Sequence, residues 1–456
     1  MISLSHQRLI ELLGGDPTEA TPMSFTGVTI DSRQDCQGKL FVAIRGDNFD
    51  GHKFVETAYR NGAVIALVET PVDCAIAQLQ VDDCKQAMGQ LANHWRHHCN
   101  PLVIALTGSN GKTTVKEMLH QILSRQAPTL ATRGNFNNDI GLPLTLFDLD
   151  SRHQYAVIEM GANHRGEIAG LAQIAEPDIV YVNNIAAAHL AGFGSIQGVI
   201  EAKGELYEYC SAGHKALFNN DEAASQFWKD NCAAATRLCC ALDKPADVSL
   251  RWSTVDDQLQ IEVSYAGATC GGRLAVLGEH NARNALAAVS LALLAGLDLA
   301  TAVAGLAEFS GVKGRLQILS GPAQSRILDD SYNANPDSLE AGIKVLCGLQ
   351  GTPWLALGDM AELGDEAAEL HREAARSARR HGVEKWFGIG EMSCMASTEF
   401  GTEGYCHEDI DSMAQSIRAK IHQGVNLLVK GSRSAGMERL VQQLIQTNPA
   451  GDTNAV

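Results

Sequence analysis

The chain has 456 residues, of which 45% are hydrophobic and 20% charged, and its formal net charge is −17. This length exceeds what one hydrophobic core usually supports, so we expect two to four domains. The acidic balance argues against general binding to nucleic acid or to an anionic membrane, because both need a basic face.

Targeting and redox features are few. Met1 to Leu13 lacks the basic and long apolar segments of a secretion signal, and the most apolar helical stretch, Ala285 to Gly296, is too short to span a bilayer. The 12 cysteines form no C-x-x-C pair, which favours reduced thiols over a zinc ribbon or a thioredoxin-like site. We therefore expect a soluble, cytoplasmic protein.

The first block of the chain, residues 1–83, mixes short predicted strands with turn-rich segments. Apolar runs predict strands at Leu40–Ile44 and Val64–Val68. A helical stretch from Cys84 to Cys99 leads into a second block, which we bound at residues 84–310.

The second block opens with a strand, a glycine turn and a helix. The apolar run Leu102–Leu106 predicts a buried parallel strand, and a helix is predicted from about Lys112 to Arg125. Leu250 to Ala275 alternates polar and apolar residues, which predicts antiparallel strands. Further buried strands are predicted at Ala156–Glu159, Ile179–Asn183 and Ala216–Asn219. Their alternation with helix-length segments indicates a parallel sheet with helices on both faces.

The third block, residues 311–456, has the pattern of a second doubly wound α/β unit. Strands are predicted at Ile327–Asp330, Trp354–Gly358, Lys385–Ile389 and Asn426–Lys430, with helical segments between them.

The strongest local signal is a glycine-containing loop between the first strand and the first helix of the second block. Its glycines let successive N–H groups face one anion, and the helix N-terminus adds a favourable dipole. Lys112 would reach the β- and γ-phosphates of a nucleotide, and the Thr113 hydroxyl would coordinate Mg²⁺. The loop departs from a Walker A motif because Leu106 stands where a glycine is required; the alternative is a structural glycine turn. The loop reads Thr107-Gly108-Ser109-Asn110-Gly111-Lys112-Thr113-Thr114.

This shorter loop is that of the Mur ligases and folylpolyglutamate synthetases, and along nearly its full length the sequence resembles the Mur ligase family. The motifs that carry the resemblance follow the family's order. Besides the loop they are Asp31-Ser32-Arg33, Gly134-Asn135-Phe136-Asn137-Asn138-Asp139-Ile140-Gly141-Leu142-Pro143, Glu159-Met160-Gly161-Ala162-Asn163, Asn184-Ile185 with Ala188-His189-Leu190, Glu201-Ala202-Lys203-Gly204-Glu205, Gly278-Glu279-His280-Asn281-Ala282-Arg283-Asn284-Ala285, Gly314-Arg315-Leu316, Asp329-Asp330-Ser331-Tyr332-Asn333-Ala334-Asn335-Pro336, Leu357-Gly358-Asp359-Met360-Ala361-Glu362-Leu363-Gly364 and Val429-Lys430-Gly431-Ser432-Arg433.

The resemblance implies an α/β protein of three domains. These are a small α/β domain that binds the UDP part of a substrate (1–83), a central P-loop-type parallel-sheet ATPase domain (84–310) and a C-terminal Rossmann-like α/β domain (311–456). It also implies an ATP-dependent amide ligase of cytoplasmic peptidoglycan synthesis, acting as a monomer. The expected substrates are UDP-N-acetylmuramoyl-tripeptide and D-alanyl-D-alanine, joined through an acyl-phosphate.

By the same resemblance, ATP binds to the loop and to residues of two domains. Asn281 and Asn284, three residues apart on one helical face, are expected near the adenine and ribose together with Asp330. Arg315 is expected at the γ-phosphate, although Arg315 and Asp330 are alternatively candidates for a plain interdomain salt bridge. The implied ATP-binding loop residues are Gly108, Ser109, Asn110, Gly111, Lys112, Thr113 and Thr114.

Two Mg²⁺ ions are implied, with Thr113 and Glu159 as ligands and His189 on the second ion. Lys203 is expected to be carbamylated, because a carbamate is an anionic oxygen ligand whereas an ammonium beside Mg²⁺ is unfavourable. Lys112, Lys203, His189 and Arg315 are the implied catalytic residues. The alternatives are a solvated strand-end carboxylate for Glu159, a loop histidine for His189 and a salt-bridging lysine for Lys203.

The substrate side involves three further groups of residues. The resemblance assigns the UDP moiety to Asp31, Ser32 and Arg33, since a guanidinium can bind phosphate with two hydrogen bonds. Asparagine-rich loops are alternatively plain turns. The muramoyl-peptide carboxylate is assigned to Asn135 and Asn138, and the dipeptide side to Asn333 and Asn335.

Two other functions stay open at this point. Another ligase of the same superfamily would add a different amino acid to UDP-muramoyl-peptide, or would add glutamate to folate. Against the first, the D-N-P-R motif of the diamino-acid-adding enzyme does not occur, and the Asp330 to Asn335 segment fits the dipeptide-adding branch. A nucleotide-dependent switch would use ATP only to change conformation.

Overall fold

The computed structural model describes residues 1–17, 23–46, 49–186 and 190–445. Within them the chain builds three main sheets, each from a separate stretch of sequence. In these ranges no helix is both long and apolar enough to cross a membrane. The sheets and their helices confirm the predicted α/β class.

The N-terminal part folds as a five-stranded sheet with a separate two-stranded pair and a short hairpin. Its elements are β1 Ser3–Ser5, α1 His6–Leu13, β2 Asp16–Pro17, β3 Ser24–Thr26, β4 Val28–Thr29, β5 Leu40–Val42, β6 Arg45–Gly46, β7 Phe49–Asp50, α2 Val55–Arg60, β8 Ile65–Val68, β9 Ala77–Gln80 and α3 Cys84–Cys99. The sheet order is β2-β9-β8-β5-β4, with only β2 antiparallel to its neighbour. All four residues of β8 are buried, as expected for a central parallel strand.

The central part is a nine-stranded sheet, parallel for most of its width. Its elements are β10 Leu102–Thr107, α4 Lys112–Ser124, β11 Thr129–Ala131, α5 Gly141–Leu146, β12 Tyr155–Glu159, α6 Glu167–Ala175, β13 Ile179–Val182, α7 Leu190–Phe193, α8 Ile196–Glu208, β14 Lys215–Asn219, α9 Ser225–Asp230, β15 Thr236–Ala241, β16 Val248–Val255, β17 Gln258–Tyr265, β18 Ala268–Leu274, α10 Glu279–Leu294 and α11 Leu299–Leu306. The order is β11-β12-β10-β13-β14-β15-β16-β17-β18, and only β16, β17 and β18 pair antiparallel, as the alternating pattern predicted. Apolar residues of α4 and α10 pack on one face, and those of α3, α6 and α8 pack on the other.

The C-terminal part is a six-stranded sheet in the order β19-β20-β24-β21-β22-β23, parallel except for the edge strand β19. Its elements are β19 Gln317–Ser320, β20 Arg326–Asp330, α12 Pro336–Gly348, β21 Thr352–Gly358, α13 Ala367–His381, β22 Lys385–Ile389, α14 Glu391–Phe400, β23 Gly404–His407, α15 Ile410–Lys420, β24 Val425–Lys430 and α16 Glu438–Ile445. The three sheets lie in separate stretches, while the domain limits 1–83, 84–310 and 311–456 stay a prediction.

One pair of cysteines departs from the expectation of reduced thiols. Cys394 on α14 and Cys406 on β23 form a disulfide, with their Cα atoms 4.7 Å apart. The short turn after α14 folds β23 back alongside the helix, so residues 12 positions apart meet. The other ten cysteines are free, and five of them are buried.

Candidate active site

The candidate site lies where neighbouring parallel strands of the central sheet end. Because β12, β10 and β13 are adjacent and parallel, their carboxyl ends meet at one edge, which is where α/β folds bind ligands. The glycine-containing loop at residues 107–114, called the phosphate loop from here on, lies at the end of β10 and the start of α4. Glu159 is the last residue of β12, and Asn183 and Asn184 follow β13.

The phosphate loop is held in shape by Asn184, which follows the neighbouring strand β13. The N–H groups of Ser109 and Asn110 donate to the carbonyl and side-chain oxygens of Asn184, at 2.9 and 2.8 Å. Gly111 has a φ of 76°, and a Cβ there would lie 2.4 Å from Oδ1 of Asn284. A side chain at position 111 would therefore collide with α10, so glycine is required.

Lys112, the first residue of α4, folds back onto its own loop. Its Nζ donates to the carbonyl oxygens of Gly108 and Ser109, at 2.7 and 3.2 Å. Burial lowers the pKa of Lys112; the charge of Glu159 opposes this shift and that of Arg315 adds to it. The loop therefore carries a desolvated cation beside the first turn of a helix, whose N–H groups lack intrahelical acceptors.

Glu159 is a buried carboxylate that faces the loop, with 2% of its surface exposed. Its Oε2 accepts a hydrogen bond of 2.9 Å from the Thr113 hydroxyl, and its Oε1 accepts one of 2.9 Å from Nδ2 of Asn137. The hydroxyl of Thr132 accepts from the Glu159 N–H, which fixes the backbone at the strand end. This geometry differs from the alternative of a solvated strand-end carboxylate.

The donor set around Glu159 consists of oxygen atoms, which is the set that Mg²⁺ prefers. Thr113 and Glu159 already touch, so both could ligate one ion. No group of three or more His, Cys, Asp or Glu residues arranged for a metal occurs in the described part of the chain. His189, predicted for a second ion, lies outside the described residues.

Lys203, on α8, is almost completely buried and lines the same cleft. Its Nζ lies 5.7 Å from the centroid of the Phe193 ring, and its ammonium has no hydrogen bond or ion pair within the described ranges. Burial, followed by the charge of Lys112, lowers the pKa of Lys203 to about 7. The alternative of a salt-bridging lysine is therefore not seen here.

These residues open into one cleft of about 680 Å³ between the central and C-terminal sheets. From the central part it is lined by the phosphate loop, Glu159 and Lys203. The other predicted residues that line it are Asn135, Asn138, Arg315, Asn333 and Asn335.

The C-terminal part contacts the phosphate loop directly. Nδ2 of Asn335 donates to Oδ1 of Asn110 at 2.8 Å, while Oδ1 of Asn335 caps α12 by accepting from the Ser338 N–H. The Arg315 guanidinium carbon lies 4.1 Å from the centroid of the Tyr332 ring. Asn335, assigned to the dipeptide side, thus also links two parts of the chain.

Asp330 and Lys430 form a buried ion pair at the ends of β20 and β24. Nζ of Lys430 also donates to the carbonyl oxygen of Asn333 at 2.9 Å. The pair lies within the C-terminal sheet, so Asp330 does not form the interdomain salt bridge with Arg315 that was the alternative. Lys430 belongs to the motif Val429-Lys430-Gly431, but the sequence assigned it no role.

A second cavity of about 300 Å³ adjoins the cleft beyond Gly111. Asn281, Asn284 and Asp330, the residues predicted for adenine and ribose, all line it. The two cavities share Gly111 and Arg315, so a nucleotide with its phosphates at the loop can extend its base into the smaller one.

A third cavity, of about 610 Å³, lies between the N-terminal and central sheets. Asp31 lines it, and it shares Asn135 and Asn138 with the reaction cleft. Arg33 is mostly exposed and its guanidinium is bound to Asp31, whose pKa it lowers to about 2. Ser32 is buried, and its carbonyl oxygen accepts from Asn61. The continuity of the two cavities gives a long substrate a path from Asp31 to the phosphate loop.

The fold and the site thus define a nucleotide-using enzyme with a reaction cleft between domains, and three family models refine this class. The model described as Mur ligase family, catalytic domain, matches residues 24–96. Mur ligase middle domain matches 106–292, and Mur ligase, glutamate ligase domain, matches 314–433.

Relatives and solved structures agree with these matches. The UDP-N-acetylmuramoyl-tripeptide–D-alanyl-D-alanine ligase of Escherichia coli K12 is 39% identical over 97% of this chain and 99% of its own length. That of Haemophilus influenzae is 36% identical with the same coverage. A crystal structure of MurF from Acinetobacter baumannii superposes with a TM-score of 0.91 at 34% identity, covering 98% of this chain and all of the other. The crystal structure of MurF from Thermotoga maritima in complex with ADP superposes with a TM-score of 0.82 at 25% identity, covering 92% of this chain and 97% of the other. The chain therefore belongs to the Mur ligase family, in its MurF branch, and is an ATP-dependent amide ligase.

Proposed function

We propose that this chain joins D-alanyl-D-alanine to UDP-N-acetylmuramoyl-tripeptide, giving UDP-N-acetylmuramoyl-pentapeptide, ADP and phosphate in peptidoglycan synthesis. The observation that carries the proposal is the single cleft in which the phosphate loop, the buried Glu159 and the N-terminal cavity meet. Support comes from relatives that bear this activity in their names and match the chain nearly end to end.

The chemistry must give a carboxylate a leaving group. A substrate carboxylate oxygen attacks the γ-phosphorus of ATP, the bond from that phosphorus to ADP breaks, and an acyl-phosphate forms. The dipeptide amine then attacks the acyl carbon, phosphate leaves with the bonding electrons, and the amine loses a proton. Both reactants of the first step are anions, so screening by Lys112 and Arg315 is the main contribution of these side chains.

We propose Mg²⁺ as a cofactor, held by Thr113 and Glu159, and a second ion held by His189. Bound Mg²⁺ supplies further neutralisation of the phosphate oxygens. The contact between the Thr113 hydroxyl and Glu159 supports the proposal because it places the two oxygen ligands side by side.

We propose in addition that Lys203 is carbamylated. The neutral amine attacks the carbon of CO₂, a nitrogen–carbon bond forms, and one proton is released to give an anionic carbamate. The lowered pKa supports this step because about half of the Lys203 side chains are neutral near pH 7. Nuclear magnetic resonance with ¹³C-labelled bicarbonate should show a carbamate signal that is missing in Lys203→Met; its absence in the wild type would refute the modification.

The remaining assignments follow the cavities. We propose that the UDP end lies near Asp31, Ser32 and Arg33, and that the peptide carboxylate passes Asn135 and Asn138 toward the loop. Asn333, beside Asn335 in the cleft lining, is proposed to face the dipeptide. Because the sites lie on three sheets, we propose domains at 1–83, 84–310 and 311–456 that close on the substrates, in a cytoplasmic monomer.

The test is phosphate release from ATP with UDP-N-acetylmuramoyl-tripeptide, in the presence and absence of D-alanyl-D-alanine. Release that requires both substrates, with a pentapeptide product identified by mass, is expected. Release that needs neither acceptor would indicate a nucleotide switch, and release supported by another amino acid would indicate a different ligase; either result would refute the proposal.

A further inference from the structure

The smaller cavity beyond Gly111 is lined by two acidic side chains that no motif identified, Asp337 in the first turn of α12 and Glu222. Glu222 follows the end of β14, the strand next to β13, and therefore lies at the same carboxyl edge as the phosphate loop. It lines the cavity together with Asn281, Asn284 and His280.

The asparagines of this cavity are already engaged with one another. Nδ2 of Asn281 donates to the carbonyl oxygen of Leu277 at 2.8 Å, and Oδ1 of Asn281 accepts from Nδ2 of Asn284 at 3.3 Å. Oδ1 of Asn284 accepts in turn from Nδ2 of Asn183 at 3.2 Å. This buried chain of amides supports the loop at Gly111, and it commits both asparagines to structural hydrogen bonds.

Glu222 has acceptor capacity left over. Its Oε2 accepts one long hydrogen bond, 3.4 Å, from the N–H of Ile185, and its Oε1 has no hydrogen-bond partner in the described part of the chain. The Arg283 guanidinium binds Asp221, Asp243 and Glu279 rather than Glu222. Burial raises the pKa of Glu222, which reflects the desolvation of a carboxylate with few donors around it.

We propose that Glu222 accepts a hydrogen bond from the 6-amino group of adenine and thereby selects ATP over GTP. Adenine presents two N–H donors at position 6, whereas guanine presents a carbonyl oxygen there. A carboxylate accepts a hydrogen bond from the amino group of adenine and repels the carbonyl oxygen of guanine. A purine without a substituent at position 6 forms no hydrogen bond with it. The inference rests on the use of ATP in the proposed function.

The size of the effect follows from the chemistry of one hydrogen bond to a charged group. Losing such a bond at a desolvated site weakens binding roughly 10- to 150-fold. Wild-type protein should therefore bind ATP more tightly by this factor than purine-riboside triphosphate, N6,N6-dimethyl-ATP or GTP.

The experiment is calorimetric titration of the full chain with these four nucleotides, without the other substrates. Glu222→Gln keeps the shape of the side chain, but its amide can donate as well as accept a hydrogen bond. This variant should therefore bind GTP more tightly than the wild type does, and its preference for ATP over GTP should be at least tenfold smaller. Asp243→Asn is the matched control, because it neutralises an acidic residue that binds Arg283 but does not line the cavity. Its nucleotide preference should equal that of the wild type.

Several results would overturn the inference. If Glu222→Gln binds nucleotides with unchanged preference, the carboxylate does not read the base while the use of ATP stands. If His280→Ala alone relaxes the preference, that imidazole is the reading group. If the wild type binds no ATP, the proposed function fails with it. Should Glu222→Gln not fold, equal binding of ATP and N6,N6-dimethyl-ATP by the wild type would be sufficient to refute the inference.

Discussion

Lys203→Met should stabilise the protein in the absence of metal and CO₂. The buried Lys203 ammonium has no hydrogen bond or ion pair within the described residues, and its pKa is lowered from 10.5 to about 7. The difference, 10.5 minus about 7, corresponds to about 5 kcal/mol of unfavourable burial of the charged form. Relaxation and water entry reduce such values, so we expect a gain of roughly 2 kcal/mol.

The pH dependence of the gain identifies its cause. Between about pH 7 and 10.5 the folded state has released a proton that the unfolded state keeps, so this group makes wild-type stability rise with pH across that window. Below pH 7 both states are protonated and the contribution is flat. Lys203→Met should therefore exceed the wild type most at pH 6, and the two should converge toward pH 10.

The assay is urea unfolding in CO₂-free buffer with a chelator, with hydrogen exchange of α8 as the local readout. Lys116→Met is the matched control: Lys116 is equally buried, but its Nζ donates to the carbonyl oxygen of Thr132 at 2.5 Å and pairs with Glu117. That variant should be destabilised, because it removes a paired charge. If Lys203→Met is destabilised at pH 6 as well, the reasoning about an unpaired ammonium is wrong.

Three further predictions concern the contacts around the cleft. Glu159→Gln keeps the side-chain shape but removes the charge, so kcat/KM should fall by at least about 100-fold in steady-state ligation; a smaller fall would argue against a metal-binding role. Asn335→Asp keeps the cap of α12 but loses the donor to Asn110, so KM for ATP should rise while the unfolding midpoint stays unchanged. Asn335→Ala loses the cap as well, so its free energy of unfolding should also fall by about 1 kcal/mol. Lys430→Met leaves Asp330 buried without its partner and should cost about 3–5 kcal/mol, measured as faster hydrogen exchange in β20 and β24; unchanged exchange would show that the pair is solvated.

Much of the sheet architecture follows from apolar runs. Leu102–Leu106 and Lys385–Ile389 are recognisable because parallel strands buried on both faces are nearly continuous in hydrophobicity. Two strands of the central sheet were missed for the opposite reason. Thr129–Ala131 is only three residues long, and Thr236–Ala241 begins with two exposed polar residues, so neither resembles a buried strand.

The residues of the candidate site likewise fall into those that a local sequence pattern predicts and those that only the tertiary structure brings together. The loop around Lys112 is recognisable because glycine turns before a helix have a local pattern, and Glu159 because it closes a buried strand. Glu222 lies in an Asn-Asn-Asp-Glu turn that resembles any solvated loop, and only the adjacency of β13 and β14 brings it to the nucleotide cavity. Asn137 likewise gains its contact with Glu159 from tertiary structure.

The arrangement of charge in the cleft explains how an acidic protein can bind a polyanion. The chain has a net charge of −17, yet Lys112, Lys203 and Arg315 line one cleft with Glu159 as the carboxylate in contact with the loop. The charge of Arg315 lowers the pKa of Lys112, and the charge of Lys112 lowers the pKa of Lys203, so Lys112 is repelled by Arg315 and, before carbamylation, by protonated Lys203. A triphosphate relieves this repulsion, and because Arg315 belongs to the C-terminal part, the relief favours the arrangement in which that part lies against the loop. We therefore expect nucleotide binding to favour closure, because the phosphates neutralise positive charge that comes from both parts of the chain.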